Sequence, residues 1–172
     1  MIIRPARDED LPSLVALFRQ EIAYQRQICS FREFSPQFDC LSFLQTKLSN
    51  PHERLFVAER NAQLLGYILV RVIPAPHHRF PRNILRHFFS EKSTLAFIRP
   101  PNTGSIEDCY VEPESRRQRV GSALLKQGLG WLGAQGVRHI ELAVSAGNGD
   151  GIAFWERQGF VSSRFLMTKE IG

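Results

Sequence analysis

The chain has 172 residues and a mass of 19.7 kDa, a length that fits one domain with a substantial core. With 43% hydrophobic and 23% charged residues it is composed like a globular protein, which excludes collagen, coiled coil and wholesale disorder. The net charge of +5 and a pI near 9.5 admit a nucleic acid, an anionic membrane surface or a phosphorylated cofactor as partner, so the position of the charge has to decide.

The longest apolar run, Leu64 to Val70, falls far short of the roughly 20 residues that span a bilayer, and no membrane partner is expected. Cys29, Cys40 and Cys109 are odd in number and widely spaced, with no CxxC, which disfavours a disulfide framework or a zinc site and fits a reducing, cytoplasmic compartment. The opening Met1-Ile2-Ile3-Arg4-Pro5, followed by Asp8-Glu9-Asp10, reads as neither a secretory signal nor a transit peptide.

In chain order, Ile2 and Ile3 begin a short strand that stops near Pro5, and Asp8 is placed to cap a helix starting near Leu11. Leu11, Leu14, Val15, Phe18 and Ile22 recur at helical spacing. Asp39 to Leu48 repeats that pattern more weakly and ends at Asn50-Pro51. Leu55–Ala58 and Leu64–Ile73 read as two strands, with Asn61 suited to the hairpin turn between them. Residues 74–104 form a long stretch with no regular pattern beyond a short helical reading of 82–90, the kind of loop that serves as a lid or binding insertion. Ile106–Val111 reads as a strand, Val120–Gln135 as a helix and His139–Val144 as a strand. Gly151–Gln158 reads as a helix ended by Gly159, and 161–170 as one or two closing strands. This order implies an α/β fold with a mixed sheet.

The passage from Val111 through Glu112-Pro113-Glu114-Ser115-Arg116-Arg117-Gln118-Arg119-Val120-Gly121-Ser122 takes a strand through a basic turn into a helix. The first N–H groups of a helix lack intrahelical partners and carry the positive end of its dipole, so a phosphate docks there. Gly121 allows close backbone approach, and no acid lies between Ser115 and Lys126. The spacing is neither GxxxxGK[ST] nor GxGxxG. By local physics alone the stretch is equally a solvated basic helix start.

Val111, Pro113, Glu114, Arg116, Gly121, Ala123, Leu124 and Leu125 match the acetyl-CoA-binding pattern of the GCN5-related N-acetyltransferases, the GNAT family, which this chain resembles. Asn148, then Ile152-Ala153-Phe154-Trp155-Glu156-Arg157-Gln158-Gly159-Phe160, resembles a second motif of that family, as does the opening Ile3-Arg4-Pro5-Ala6. The resemblance implies a mixed, mostly antiparallel sheet whose fourth and fifth strands splay apart, with flanking helices. It implies one acetyltransferase domain over 1–172, carrying a basic aromatic insertion at about 74–104. It also implies acetyl-CoA as cosubstrate, with pantetheine on Cys109, Tyr110 and Val111 and the pyrophosphate on Arg117 to Ser122, meaning Arg117, Gln118, Arg119, Val120, Gly121 and Ser122. Arg116, Asn148 and Trp155 complete the expected cofactor site. Two positions depart from the pattern: Arg119 stands for the first motif glycine, and Trp155 for a tyrosine that protonates the departing thiolate.

The implied reaction transfers an acyl group from a thioester to a primary amine. An alkyl amine of pKa about 10.4 is neutral only about once in 2,500 molecules at pH 7, so a base or a water relay is useful. Glu107 is the candidate, with Cys109 and Val111 on its face by strict alternation. Ile106-Glu107-Asp108-Cys109-Tyr110-Val111 resembles the diamine (polyamine) acetyltransferase branch, which uses the glutamate through water. Glu141 is the fallback. Cys109 reads as an inert thiol, and His77, His78 and His87 lack a metal-ligand spacing, so no metal is expected. Gly128, Gly130 and Gly133 suit close packing of their helix on the sheet.

The insertion carries Arg79, Arg82, Arg86, Lys92 and Arg99 against Glu91, interleaved with Phe80, Phe88, Phe89 and Phe97. Such a segment suits an anionic acceptor, a nucleic acid or a partner chain, or else a solvated cover packed by its own aromatics. The expected partner is a small-molecule or peptide amine, with nucleic acid disfavoured and a homodimer left open. Two other classes compete: a non-catalytic CoA-binding module, and a nucleic-acid-binding domain built on the insertion.

Overall fold

The computed structural model describes residues 1–28, 35, 37–74, 103–165 and 167. The readings placed on 75–102, including the helix at 82–90, the histidines and the basic aromatic insertion, lie outside the described residues, as does Cys29. Five strands form one sheet in sequential order: β1 (Ile2–Pro5), β2 (Glu53–Arg60), β3 (Gln63–Ile73), β4 (Thr103–Val111) and β5 (His139–Leu142). The first four pair antiparallel, and β4 pairs with β5 in parallel. Helices α1 (Leu11–Ile28) and α2 (Cys40–Ser49) precede β2, α3 (Val120–Ala134) joins β4 to β5, and α4 (Gly149–Arg157) follows β5.

The uninterrupted apolar run Leu64–Val70 is the middle of β3, buried on both faces. Tyr67 and Leu69 pack with Leu14, Phe18, Leu44, Leu55 and Val57 on the α1–α2 face. Ile68 and Val70 pack with Phe56, Ile106, Val120, Leu124 and Leu132 on the α3 face. Two-sided burial removes the alternation that a one-sided strand would show. Asn61 and Ala62 both take left-handed φ, 51° and 61°, which makes the β2–β3 connection a two-residue hairpin turn of the primed type.

The helix ends follow local chemistry, with one shift. Asp39 caps α2, accepting from the N–H groups of Leu41 and Ser42. The expected Asp8 cap is replaced: Asp8–Asp10 is a short 3-10 turn, and Asp10 accepts from the Arg7 N–H at 2.8 Å. Asp10 is recruited because Arg4 grips it through two nitrogens, at 2.7 and 2.8 Å, and reaches Glu59 as well. That guanidinium holds the Asp10 carboxyl below the usual carboxylate range. Gly159 ends α4 with φ of 88°.

Other boundaries move. Thr103 and Gly104 belong to β4 rather than to the preceding loop, and β5 ends at Leu142. The closing strand expected over 161–170 is not formed at 161–165, and the rest of that stretch, apart from Met167, lies outside the described residues. Of the three α3 glycines only Gly128 is a packing device. A Cβ there would meet Val70 Cγ1 at 2.9 Å, while Gly130 and Gly133 face open space.

Candidate active site

β4 pairs with β5 over only four positions, Thr103–His139 to Ile106–Leu142. Beyond Ile106 the strand continues to Val111 against β3 alone, so 107–111 present one strand edge with no β5 partner. The divergence starts at a β-bulge: Asp108 pairs with Leu69 and Ile106 with Val70, leaving Glu107 as the extra residue. The bulge corrects the alternation expected for this strand. Ile106, Cys109 and Val111 share the α3 face, while Asp108 and Tyr110 face α1. Glu107 stands between the two sets, exposed to solvent.

The turn after β4 has a backbone that the sequence disguises. Arg117 and Arg119 adopt left-handed conformations, with φ of 61° and 64°. Glycine takes that conformation without strain, and an arginine pays roughly 1–2 kcal/mol for it. The missing motif glycine therefore leaves the turn's shape intact. Arg119 is the N-cap of α3, and no side chain caps the helix among the described residues. The first backbone bond of the helix runs from the Ala123 N–H to the Arg119 carbonyl. Among the described residues the N–H groups of Val120, Gly121 and Ser122 have no backbone acceptor, and Arg117 and Arg119 next to them in the chain are exposed. Successive N–H groups next to left-handed residues form a concavity suited to an anion.

Two residues read as ligand-facing are occupied within the protein. Arg116 Nε donates to the Val111 carbonyl at 3.0 Å, and its guanidinium lies over the rings of Tyr24 and Tyr110 at 5.2 and 5.8 Å. Gln118 donates to the Glu114 carbonyl and accepts from Arg60, which ties the turn to the β2–β3 hairpin. Gly121 sits where β4, α3 and α4 meet: a Cβ there would touch the Phe154 ring at 3.3 Å and Val111 Cγ2 at 3.8 Å. The two sequence motifs thereby meet through Gly121 and Phe154, 33 positions apart in the chain.

On α4, Trp155 packs edge-on against Phe154 at 4.8 Å and Phe160 at 5.5 Å, joined to the α3-side core. Asn148 caps the helix, accepting from the Gly151 N–H at 2.9 Å. The same oxygen accepts from the Tyr24 hydroxyl at 3.1 Å. On the α1 face Tyr67 donates to Asp108 at 2.6 Å, and Tyr110 donates to Gln20 at 3.2 Å. Burial, reinforced by the Asp108 charge, pushes the Tyr67 phenol well above its ordinary range, and burial likewise raises Tyr110. Tyr110 contributes backbone to the open edge while its hydroxyl faces away from it. Cys109 is only half-buried as a residue, yet apolar packing and then Asp108 push its thiol up to about 12. The fallback base, Glu141, is paired with Arg164 at 2.8 Å.

Sequence reasoning missed Tyr24, Gln20 and the buried carboxylate of Glu21. The available signal was the set of polar residues Gln20, Glu21, Tyr24 and Gln25 flanking Ile22 in α1. Among the described residues no three His, Cys, Asp or Glu side chains cluster as a metal site needs, and no helix is long and apolar enough to cross a membrane.

The profile of the acetyltransferase (GNAT) family matches residues 11–160. This chain belongs to the GNAT family. It is similar to the uncharacterized N-acetyltransferase YhfO of Bacillus subtilis, at 22% identity over 93% of this chain and 89% of that one. Its fold is shared with a tetramutant of the BH1408 protein of Bacillus halodurans, with a TM-score of 0.79 at 18% identity, covering 99% of this chain and 100% of that one. A predicted acetyltransferase of Clostridium acetobutylicum, solved with acetyl-CoA, superposes with a TM-score of 0.67 at 18% identity, over 98% of this chain and 95% of that one. The GNAT fold of this chain thus has its expected mixed sheet, with β4 and β5 parallel.

Proposed function

We propose that this GNAT protein is an acetyl-CoA-dependent N-acetyltransferase that acts on a primary amine, of a small molecule or a peptide, by direct attack in a ternary complex. The observation that carries the reading is the stretch 107–111, which β5 does not pair, running into the arginine-rich start of α3, where no side chain caps the helix among the described residues. A free strand edge has backbone donors and acceptors that a pantetheine arm, itself built of amides, satisfies like a missing strand. The turn offers a pyrophosphate three open N–H groups and two exposed arginines. The acetyl-CoA complex of the Clostridium relative supports the choice of donor. The donor supplies an acetyl thioester. The chain's own residues orient it, hold the amine and accept the proton.

Glu107 is the proposed base. Its place at the bulge puts a solvent-facing carboxylate where β4 leaves β5, and Asp108 beside it is already committed to Tyr67. The Glu107-Asp108 pair, which resembles the diamine branch, supports the assignment. Removing the proton from an alkyl ammonium at pH 7 costs about 4.6 kcal/mol, which a carboxylate acting directly or through water shares with solvent. Cys109 does not act as a nucleophile, because its raised thiol stays protonated at neutral pH. With Trp155 in place of a tyrosine, the thiolate leaves without a dedicated acid. That is tolerable because a thiol of pKa about 8.5 has an anion only about 2 kcal/mol above its neutral form at pH 7. Trp155 serves as an aromatic wall beside the thioester.

Release of free thiol from acetyl-CoA across a panel of amines tests the reading. Turnover with at least one primary amine is expected. Tight CoA binding with no thiol release across the panel favours the non-catalytic CoA-binding module.

A further inference from the structure

Tyr24 on α1 lies outside both sequence motifs, yet it touches a side chain from each. Its hydroxyl donates to Asn148 Oδ1 at 3.1 Å, at the start of α4. Its ring carries the Arg116 guanidinium at 5.2 Å, just beyond β4. These two segments flank the free edge of 107–111, so Tyr24 bridges the gap where β4 and β5 part. The end of α1 is pressed onto the same loop: a Cβ at Gly147 would meet the Ile28 carbonyl oxygen at 2.5 Å.

The bond orders the Asn148 amide in a way that can be worked out. The Gly151 backbone N–H can only donate, so the group facing it at 2.9 Å is the amide oxygen. That oxygen has two lone pairs, and Tyr24 takes the second. The amide also lies flat against Gly151, where a Cβ would meet Nδ2 at 2.5 Å and Oδ1 at 2.8 Å. Nδ2 makes no hydrogen bond among the described residues, so it is the polar atom the arrangement leaves as a donor. Arg116 is steadied from two sides, by the Tyr24 ring and by its bond to the Val111 carbonyl.

We infer that Tyr24 is a positioning residue of the acyl-donor site. Its hydroxyl locks the Asn148 amide with Nδ2 turned out as a donor for a carbonyl of the pantetheine arm, and its ring holds Arg116 at the end of the free strand edge. The inference rests on the proposed acetyl-CoA reading and adds a residue to it from an element that neither motif contains. The two-bond oxygen acts through preorganisation: the Gly151 N–H sets which end of the amide faces the helix, and the Tyr24 hydroxyl adds a second bond that narrows the motion left to be lost when the ligand binds.

The test is calorimetry with CoA, paired with acetyl-CoA kinetics where turnover is found. Tyr24→Phe keeps the ring and removes the hydroxyl, and is expected to raise the CoA Kd and the acetyl-CoA KM about 3–10-fold. The kcat and the amine KM should stay within about twofold, since the bond positions the donor and not the chemistry. Asn148→Asp keeps the oxygen that serves Tyr24 and Gly151 but removes the Nδ2 donor. In that background Tyr24→Phe should produce no further loss. Should Asn148→Asp fail to fold, Asn148→Ser, which retains a capping oxygen, replaces it. An unchanged Kd in Tyr24→Phe, or an equal loss in both backgrounds, overturns the positioning role and leaves the acetyl-CoA reading standing. Absence of CoA binding by the unaltered protein overturns the acetyl-CoA reading and this inference with it.

Discussion

Replacing Arg119 by glycine should stabilise the protein, although it removes a charged side chain from the proposed pyrophosphate turn. The residue sits at φ of 64°, where a side chain with a Cβ pays roughly 1–2 kcal/mol. Glycine escapes that cost but returns roughly 0.5–1 kcal/mol through the greater freedom of the unfolded chain. The net gain is about 0.5–1 kcal/mol, a rise in Tm of about 1–4 °C for a chain of this size. Arg119→Val should move Tm the other way by a similar amount, because a β-branched residue fits the left-handed region worse than arginine. Arg119→Lys keeps charge and strain and should leave Tm unchanged. Thermal unfolding of the ligand-free variants, followed by circular dichroism, reads all three. CoA titration separates shape from charge: Arg119→Gly should weaken binding by about 2–5-fold at low salt, with the difference shrinking near 0.5 M salt. A glycine variant that melts below the unaltered protein, together with a valine variant that does not, would refute a left-handed Arg119 and the anion-binding turn built on it.

The remaining predictions concern chemistry. Gly121→Glu places a carboxylate at the start of α3, against the Phe154 ring, and should weaken CoA binding by at least about tenfold in a folded protein, as measured by calorimetry. Glu107→Gln should lower kcat/KM by about 10²-fold at neutral pH, with activity recovering as pH rises toward the amine pKa; an unaltered pH–rate profile removes Glu107 from the mechanism. Trp155→Tyr should retain or modestly raise turnover, whereas Trp155→Ala should weaken acetyl-CoA binding by opening the packing around Phe154 and Phe160, both read from steady-state kinetics. The Cys109 thiol, held up to about 12, should resist alkylation at pH 8 in the folded state and react promptly in denaturant, as mass spectrometry of labelled peptides will show. Because its folded pKa is raised, the thiol's contribution to stability is present below about pH 8.5 and is lost as pH climbs toward 12, the unfolded chain deprotonating first.

Where sequence expectation and structure part, the cause lies in contacts between residues distant in the chain. Asp8 has the right spacing to cap α1, but it lies in a 3-10 turn whose Asp10 accepts from the Arg7 N–H and is gripped by Arg4, from a strand that pairs with β2. Simple alternation gives Glu107, Cys109 and Val111 one face. A single extra residue opposite Leu69 and Val70 shifts the phase, and that bulge depends on the partner strand. Gly130 and Gly133 look as useful as Gly128, yet the angle of α3 on the sheet brings only Gly128 against Val70.

The sequence by itself determined the order of elements as far as α4, the β2–β3 hairpin and the basic turn that opens α3. Each of these rests on interactions between residues only a few positions apart, which short patterns encode. The family resemblance was legible for the same reason, since both motifs are local. The tertiary structure alone decided that β4 parts from β5 after Ile106, and that Arg117 and Arg119 hold the backbone shape expected of glycine. It alone brought Tyr24 from α1 to Asn148 across 124 positions of chain. Strand divergence, a strained turn and a bond between remote elements are set by the packing of the whole sheet and its helices, a balance of many contacts that no window of sequence contains.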